Sequence, residues 1–346
     1  MRCAIDVALV DFSMARSRSA AEQDLPVEVI ETLRGFLEAG GKRLRPVLCV
    51  VGWHAAGGEE IPAAVLRVAA SLEMFHAFAL IHDDVMDGSD TRRGRLTVHR
   101  TAATLHRDGR SHAAADRLGA AIAVLVGDLA LAWSVELLHS AGLDPAQLAR
   151  VLPLTDAMRT ETMWGQYLDV TMAGRPTADF DQALRIARYK TARYTFEWPL
   201  RIGAALAGAE ARVCDALSAY ARPLGEAFQL RDDLLGVFGS PALTGKPDLD
   251  DLRDGKHTAL VAVALQRADP VQRRLLRSLL GKADLDEHGA AQIRDVLVAT
   301  GARDAVEQLI TARLDRALRA VDQPPFPIAA TAALRQLANA ATVRTA

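Results

Sequence analysis

The chain has 346 residues, 50% of them hydrophobic and 24% charged, with a formal net charge of −2. That supplies a substantial core, and the near-neutral balance excludes a general electrostatic attraction to nucleic acid. No run approaches the ~20 apolar residues of a membrane span. No Pro/Gly/Ser-rich linker or low-complexity block interrupts the chain, so residues 1–346 are expected to form a single domain. Asp6 and Asp11 break the apolar start MRCAIDVALVDF, which argues against a secretory signal. Cys3, Cys49 and Cys214 are few, odd in number and without metal-type spacing, as expected of free thiols in a reducing cytosol.

In chain order, residues ~4–15 and ~26–38 read as amphipathic helices separated by a turn at Leu25-Pro26. Gly40-Gly41-Lys42-Arg43-Leu44-Arg45-Pro46 follows. Its glycines end one helix and Pro46 suits the first turn of the next. Lys42 and Arg45 then stand at a helix N-terminus, where backbone amides also favour an anion. Residues ~62–88 form a long apolar helix that delivers Asp83, Asp84 and Asp87 at its end. Asp83 and Asp87 stand one turn apart on one face, and at ~100° per residue Leu72, His76 and Ala79 share it. Two carboxylates that close raise each other's pKa unless a cation lies between them, and oxygen-only ligands suit Mg²⁺. Arg92, Arg93 and Arg95 come next, with guanidinium forks that match phosphate oxygens. Acids for a metal followed by arginines for phosphate describe a site for a metal-chelated diphosphate.

The stretch from Arg92 to Arg100 reads as a polar loop. Helices follow over ~113–140 with Gly127-Asp128, ~146–172 with Gln166 and Asp169, and ~177–208 with Lys190-Thr191 and a kink near Pro199. A helix over ~210–238 carries Phe228-Gln229-Leu230-Arg231-Asp232-Asp233-Leu234-Leu235-Gly236 and runs into a long polar loop with Lys246, Asp250, Asp251 and Lys256. From about Thr258 onward, four or five shorter helices complete the chain. No strand-like alternation and no repeat stand out, so the fold class is all-α.

GGKRLRP, HDDVMD with RRG, GQYLD, KT, and FQLRDD with a following GK, in that order, resemble the trans-isoprenyl diphosphate synthase family. The resemblance runs from about Gly40 to Lys256. It implies long helices around a deep apolar cavity with two aspartate-rich motifs across its mouth, and usually a homodimer. It further implies that isopentenyl diphosphate is condensed with an allylic diphosphate on three Mg²⁺ ions. By motif match, Asp83 and Asp87 bind two metals and Asp232 the third. Arg92, Lys190 and Lys246 hold the allylic diphosphate, and Lys42, Arg45, His76 and Arg93 the isopentenyl diphosphate. Thr191 and Gln229 lie near the allylic cation. One departure is Gly236, where many members carry a third acid. Asp250 could reach the same metal through water, and Gly236→Asp is expected to be tolerated.

Three other readings compete. Glu73-x-x-His76 and Glu136-x-x-His139 match the Glu-x-x-His of di-iron bundles, but leave the basic motifs unexplained. A terpene cyclase shares the acidic motif but needs no isopentenyl diphosphate site. A non-catalytic subunit fits poorly with an intact DDVMD. For product length, Ala79 leaves the upper tunnel open and Phe75, eight residues before Asp83, lies roughly 12 Å down as a floor. About three extended five-carbon units fit above it, and the unit nearest the diphosphate makes four, the twenty-carbon geranylgeranyl diphosphate. Phe78 limits length by resemblance, although the ideal wheel turns it away from Asp83. Farnesyl diphosphate or a longer chain is the alternative product.

Overall fold

The amphipathic start of the chain forms α1 (Arg2–Glu22) and α2 (Glu28–Glu38). Helix α1 outruns its expected end: Ser13 turns its hydroxyl back onto the Leu9 carbonyl at 2.8 Å, and the good helix formers Met14, Ala15, Arg16, Arg18, Ala20 and Ala21 carry the helix on. The protein is described here as a computed structural model over residues 1–239, 249–322 and 325–342. Backbone packing divides the chain into two units, Met1–Val50 with Glu59–Leu148, and Val51–Gly58 with Ala149–Ala346.

In the first unit come the start of α3 (Leu44–Ala55) and α4 (Ala63–Met86), which opens on extended Pro62. The next stretch differs from the expected loop. Thr91–Arg92 (β1) and Arg95–Leu96 (β2) form a two-residue antiparallel ladder, and Arg93 and Gly94 have φ of +55° and +72°. Positive φ at both central positions is the two-residue hairpin turn that the strand twist favours. Then come α5 (Val98–Leu105), which the sequence reading missed, and α6 (His112–His139). Helix α4 packs against α1, α2, α5 and α6 and is the centre of this unit. Both α4 and α6 are long and apolar enough by composition to cross a membrane, which amends the earlier reading. Helix α4 is a core helix, however, with 67% of its apolar window buried, whereas only 39% of that of α6 is covered.

The longer segment of the second unit starts within α7 (Pro145–Met172) and continues through α8 (Phe180–Ala187). The expected single kinked helix over the next stretch is in fact three pieces. Helix α8 passes into a ten-residue π-helix, π1 (Arg188–Glu197), and Pro199 lies in the first turn of α9 (Trp198–Leu206). Pro199 therefore starts a helix rather than bending one. Helix α10 (Ala211–Phe238) is the centre here, packed by π1, α9 and the C-terminal helices. After the undescribed segment come α11 (Asp250–Arg253), α12 (Ala259–Arg267), α13 (Pro270–Leu279), α14 (Glu287–Ala299), α15 (Ala302–Val321) and α16 (Ile328–Thr342). Arg231 locks α10 in place, with a two-pronged pair to Glu307 of α15 at 2.6 and 2.7 Å and a bond to the Thr342 carbonyl at 3.1 Å.

Candidate active site

In the first unit the acids occupy the last turn of α4. The Asp87 amide donates to the Asp83 carbonyl at 2.8 Å, so the two carboxylates do stand one helical turn apart. Asp84, on the next face, is 1% exposed and holds Arg92, whose Nε donates to Asp84 Oδ1 at 2.7 Å. Arg92 Nη2 also reaches Asp83 Oδ2 at 3.3 Å. Thus Arg92, read as a phosphate ligand, rests on the acidic motif. Asp84, given no role by the sequence reading, anchors it. The approach of α6 is set by Gly127, where an added Cβ would lie 2.2 Å from the ring of His82.

The basic groups gather around His76, seven residues or two turns before Asp83. His76 is half-buried, and burial followed by the charges of Arg45, Arg93, Arg92 and Arg43 holds its pKa well below the ordinary imidazole value. It is therefore a neutral hydrogen-bonding group at physiological pH. Lys42 is exposed and Arg45 is buried in the first turn of α3. A Cβ on Gly41 would come within 3.3 Å of both Arg93 Nη atoms, so the GGKRLRP loop lies directly against the RRG hairpin. Arg43 is the residue missed here. It has a φ of +49° and is buried, donating to Asp6 at 2.8 Å, Glu73 at 2.8 Å and the Leu37 carbonyl at 2.7 Å. Its strained backbone turns one guanidinium inward and leaves its neighbours for other work. Phe75 and Phe78 are buried with ring centroids 5.4 Å apart, Ala79 is half-buried, and Phe78 also meets His82 edge-to-face at 4.7 Å.

The second unit assembles its groups on α7, π1 and α10. Asp169 pairs with Lys190 at 2.5 Å. The reason those elements can meet is glycine. A Cβ at Gly165 of α7 would lie 2.2 Å from the Lys190 amide nitrogen, and one at Gly225 of α10 would lie 2.7 Å from Ala192 Cβ. Bare backbone on both sides clasps the π segment that carries Lys190 and half-buried Thr191. Gly165→Ala is accordingly expected to lower kcat about 100-fold, because its methyl meets backbone that cannot rotate aside. Steady-state kinetics checks this, and an unchanged kcat would show that the clasp does not position Lys190.

On α10, Asp232 is half-buried, while Asp233 is buried and accepts from Gln229 Nε2 at 2.8 Å. Burial, together with Asp251, Asp232 and Asp169 and against the Gln229 hydrogen bond, pushes the Asp233 carboxyl up to about 7. Gln229 thus spends its amide donor on Asp233, leaving its carbonyl for other contacts. Lys246 lies outside the described residues. Gly236 is not an open gap. A Cβ there would lie 2.0 Å from Asp251 Oδ2, so Asp251, rather than Asp250, covers this position. With Gly236→Asp, the Asp251 carboxylate at the end of its flexible side chain would have to turn aside.

Among the described residues no group of three or more His, Cys, Asp or Glu forms a ready-made metal cage. An all-carboxylate donor set without such a cage fits Mg²⁺, which keeps waters and takes substrate phosphates as further ligands. The di-iron reading loses its donors, because Glu73 is paired with Arg43 and Glu136 with Arg16 at 2.9 Å.

Residues 27–297 match the Polyprenyl synthetase family model. The chain belongs to that family. It is 40% identical to geranylgeranyl pyrophosphate synthase from Corynebacterium glutamicum, solved with isoprenyl diphosphate and magnesium. The two folds agree with a TM-score of 0.94 over 99% of this chain and 98% of that one. Among curated relatives, it is 34% identical to a geranylfarnesyl diphosphate synthase of Aeropyrum pernix, over 84% of this chain and 86% of the relative. It is 31% identical to a geranylgeranyl diphosphate synthase of Methanosarcina mazei, over 91% and 92% respectively. The protein is a trans-prenyltransferase of the all-α class, and like its family it uses isoprenoid diphosphates and Mg²⁺.

Proposed function

We propose that the protein condenses isopentenyl diphosphate with an allylic diphosphate to give a trans-prenyl diphosphate, with geranylgeranyl diphosphate as the product. The observation that carries this reading is the guanidinium cluster of Arg43, Arg45, Arg92 and Arg93 around neutral His76, beside the Asp83–Asp87 pair. Guanidinium forks gathered beside a pair of carboxylates suit a metal-chelated diphosphate. A terpene cyclase has no use for a second diphosphate subsite.

In this reading Asp83 and Asp87 hold two of three Mg²⁺ ions and Asp232 holds the third. The ions supply charge neutralisation for the departing diphosphate. Arg92, Lys190 and Lys246 grip the allylic diphosphate, with Arg92 exchanging Asp83 for a phosphate oxygen. Lys42, Arg45, Arg93 and His76 orient isopentenyl diphosphate so that its double bond meets the allylic carbon, which is catalysis by positioning and electrostatics. The Thr191 hydroxyl and Gln229 carbonyl direct their dipoles at the cation. Apolar walls exclude the water that would quench it. Residues 1–346 are read as one prenyl diphosphate synthase domain.

The free state of Cys3, Cys49 and Cys214 among the described residues supports a cytoplasmic setting. A homodimer is supported by apolar residues left on the surface. Leu125 of α6 is 63% exposed, and Trp164 and Tyr167 of α7 are each 61% exposed.

Incubation with Mg²⁺ and each allylic primer is expected to release diphosphate only when isopentenyl diphosphate is also present. Release from the primer alone, with a cyclic hydrocarbon as product, would overturn the reading in favour of a cyclase. For product length, the contacting Phe75–Phe78 pair is the floor. The Phe75→Ala, Phe78→Ala double variant is expected to lengthen the product by one or more five-carbon units, read by chain-length analysis. An unchanged length would sink the floor assignment, and a fifteen-carbon wild-type product would place the floor higher.

A further inference from the structure

The family match begins at residue 27, so helix α1 stands ahead of it, yet α1 reaches the GGKRLRP loop. The link is Arg43, the central residue of that loop. Each edge of its guanidinium is committed to a different element. Nε donates to Asp6 Oδ1 of α1 and Nη1 to Glu73 Oε1 of α4, each at 2.8 Å, and Nη2 donates to the Leu37 carbonyl at 2.7 Å. Leu37 belongs to the last turn of α2, where carbonyls lack a partner within the helix, so the same side chain also closes that helix. A planar fork with fixed donor directions serves three such acceptors at once.

What these bonds hold in place is a backbone. Arg43 has a φ of +49°, in the left-handed region that a residue with a side chain enters only under restraint. Lys42 precedes it and Arg45 follows two positions on, so the directions in which both cations leave the chain depend on that torsion. On the inner side, Glu73 is 4% exposed, and its second oxygen, Oε2, is buried without a hydrogen bond among the described residues. Its charge is also felt by Arg93, whose pKa is lowered by burial and by Arg92, Arg43 and Arg45, and raised by Glu73. Gly41 lies against both guanidinium groups, since an added Cβ would meet the two Arg93 Nη atoms at 3.3 Å and Arg43 Nη1 at 3.4 Å. On the outer side, Asp6, Gly40, Gly41 and Arg43 line a cavity of about 230 Å³. Helix α1 and the loop are therefore joined there by the ion pair rather than by close packing.

We propose that Asp6 and Glu73 are positioning residues of the isopentenyl diphosphate subsite, acting through Arg43. The brace from α1 and α4 sets the backbone from which Lys42 and Arg45 are presented. This rests on the reading of Lys42 and Arg45 as ligands of that diphosphate. Asp6 does its work without touching substrate, so its removal weakens one substrate and spares the other.

The test is steady-state kinetics with the two substrates varied in turn, beside thermal denaturation. Asp6 is the first target because its side chain is 47% exposed, so its substitution leaves the core intact. Asp6→Ala is expected to raise KM for isopentenyl diphosphate about 5-fold to 10-fold, with kcat and KM for the allylic diphosphate within about 2-fold of wild type. Asp6→Asn keeps an acceptor oxygen and should stay within about 3-fold. Asp11→Ala, at an exposed position of the same helix, is expected to match wild type. Arg43→Lys keeps the charge but not the fork, and should raise the same KM about 10-fold or more. Adding Asp6→Ala to it should then cost less than about 2-fold further. Glu73→Gln is expected to raise that KM about 10-fold as well. An unchanged KM for isopentenyl diphosphate in Asp6→Ala or in Glu73→Gln would overturn the proposal. So would equal rises for both substrates, which general loosening of the fold would give, or full additivity of Asp6→Ala with Arg43→Lys. Lys42→Ala separates the two levels. If it raises that KM selectively while Asp6→Ala does not, the positioning role alone fails. If Lys42→Ala leaves it unchanged, the assignment of the loop to isopentenyl diphosphate fails, and the roles of Asp6 and Glu73 with it.

Discussion

Asp83→Ala is expected to reduce kcat by about three orders of magnitude while leaving the melting temperature of the metal-free protein nearly unchanged. Asp83 is largely buried but lies one turn from Asp87, with Arg92 at 3.3 Å as its weaker charged contact. Removing it takes away repulsion as well as attraction in the resting protein, so the loss falls on the reaction. Asp84 gives the contrasting case. Its carboxylate is 1% exposed and takes the shorter contacts to Arg92, 2.7 Å from Nε and 2.6 Å from Nη2. Asp84→Ala strips a nearly buried guanidinium of its main partner, which costs about 3–5 kcal/mol of folding stability. Thermal denaturation beside steady-state kinetics separates the two. Equal destabilisation by both substitutions would show that Asp83, too, is a structural partner of Arg92.

Asp232→Ala is expected to lower kcat by about 100-fold to 1,000-fold, whereas Asp233→Asn should stay within about 10-fold of wild type. Neighbouring helical positions point ~100° apart, so the two acids cannot both face a metal. Asp232 is half-buried, and Asp233 is buried against Gln229. The Asp233 carboxyl, pushed from 3.8 up to about 7, holds its proton more tightly folded than unfolded. Stability of the metal-free protein therefore falls as pH rises through the window between those values, and it is the proton-bound form that folding favours. An asparagine has no such charge to bury, so Asp233→Asn should flatten that part of the stability profile. Equal kinetic damage from the two substitutions would refute the single-ligand assignment.

The helical class and the motif order were legible because they depend on periodicity and on residue type at short range. The 3.6-residue pattern located α4, α7 and α10 closely, and one-turn spacing of Asp83 and Asp87 needs only helix geometry. Features set by long-range packing were not legible. Arg43 reads like its basic neighbours Lys42 and Arg45, and only Asp6 and Glu73, distant in sequence, decide that it turns inward. Asp251 and Asp250 are indistinguishable in sequence, and only the fold shows that Asp251 is the one lying against Gly236. The hairpin at Arg93-Gly94 is too short for alternation to register, although Gly94 was its signal. The π-helix leaves no periodic trace, yet Gly165 and Gly225 mark where its neighbours press against it.

That clasp bears on how substitutions along π1 should be judged. Tyr189, Lys190 and Thr191 are only half-buried, and by exposure alone they would pass for tolerant positions open to engineering. The main chain of Tyr189 and Lys190, however, lies directly against Gly165 of α7, neighbouring Ala192 lies against Gly225 of α10, and Glu197 at the far end is wholly enclosed and ion-paired to Arg193 and Arg222. An insertion, deletion or proline anywhere in these ten residues would have to be absorbed by α7 or α10, both of which carry active-site groups. Solvent exposure and mutational latitude are thus decoupled along this segment. A library aimed at new primers has more freedom on α4 near Phe75 and Phe78, where side chains rather than backbones make the contacts.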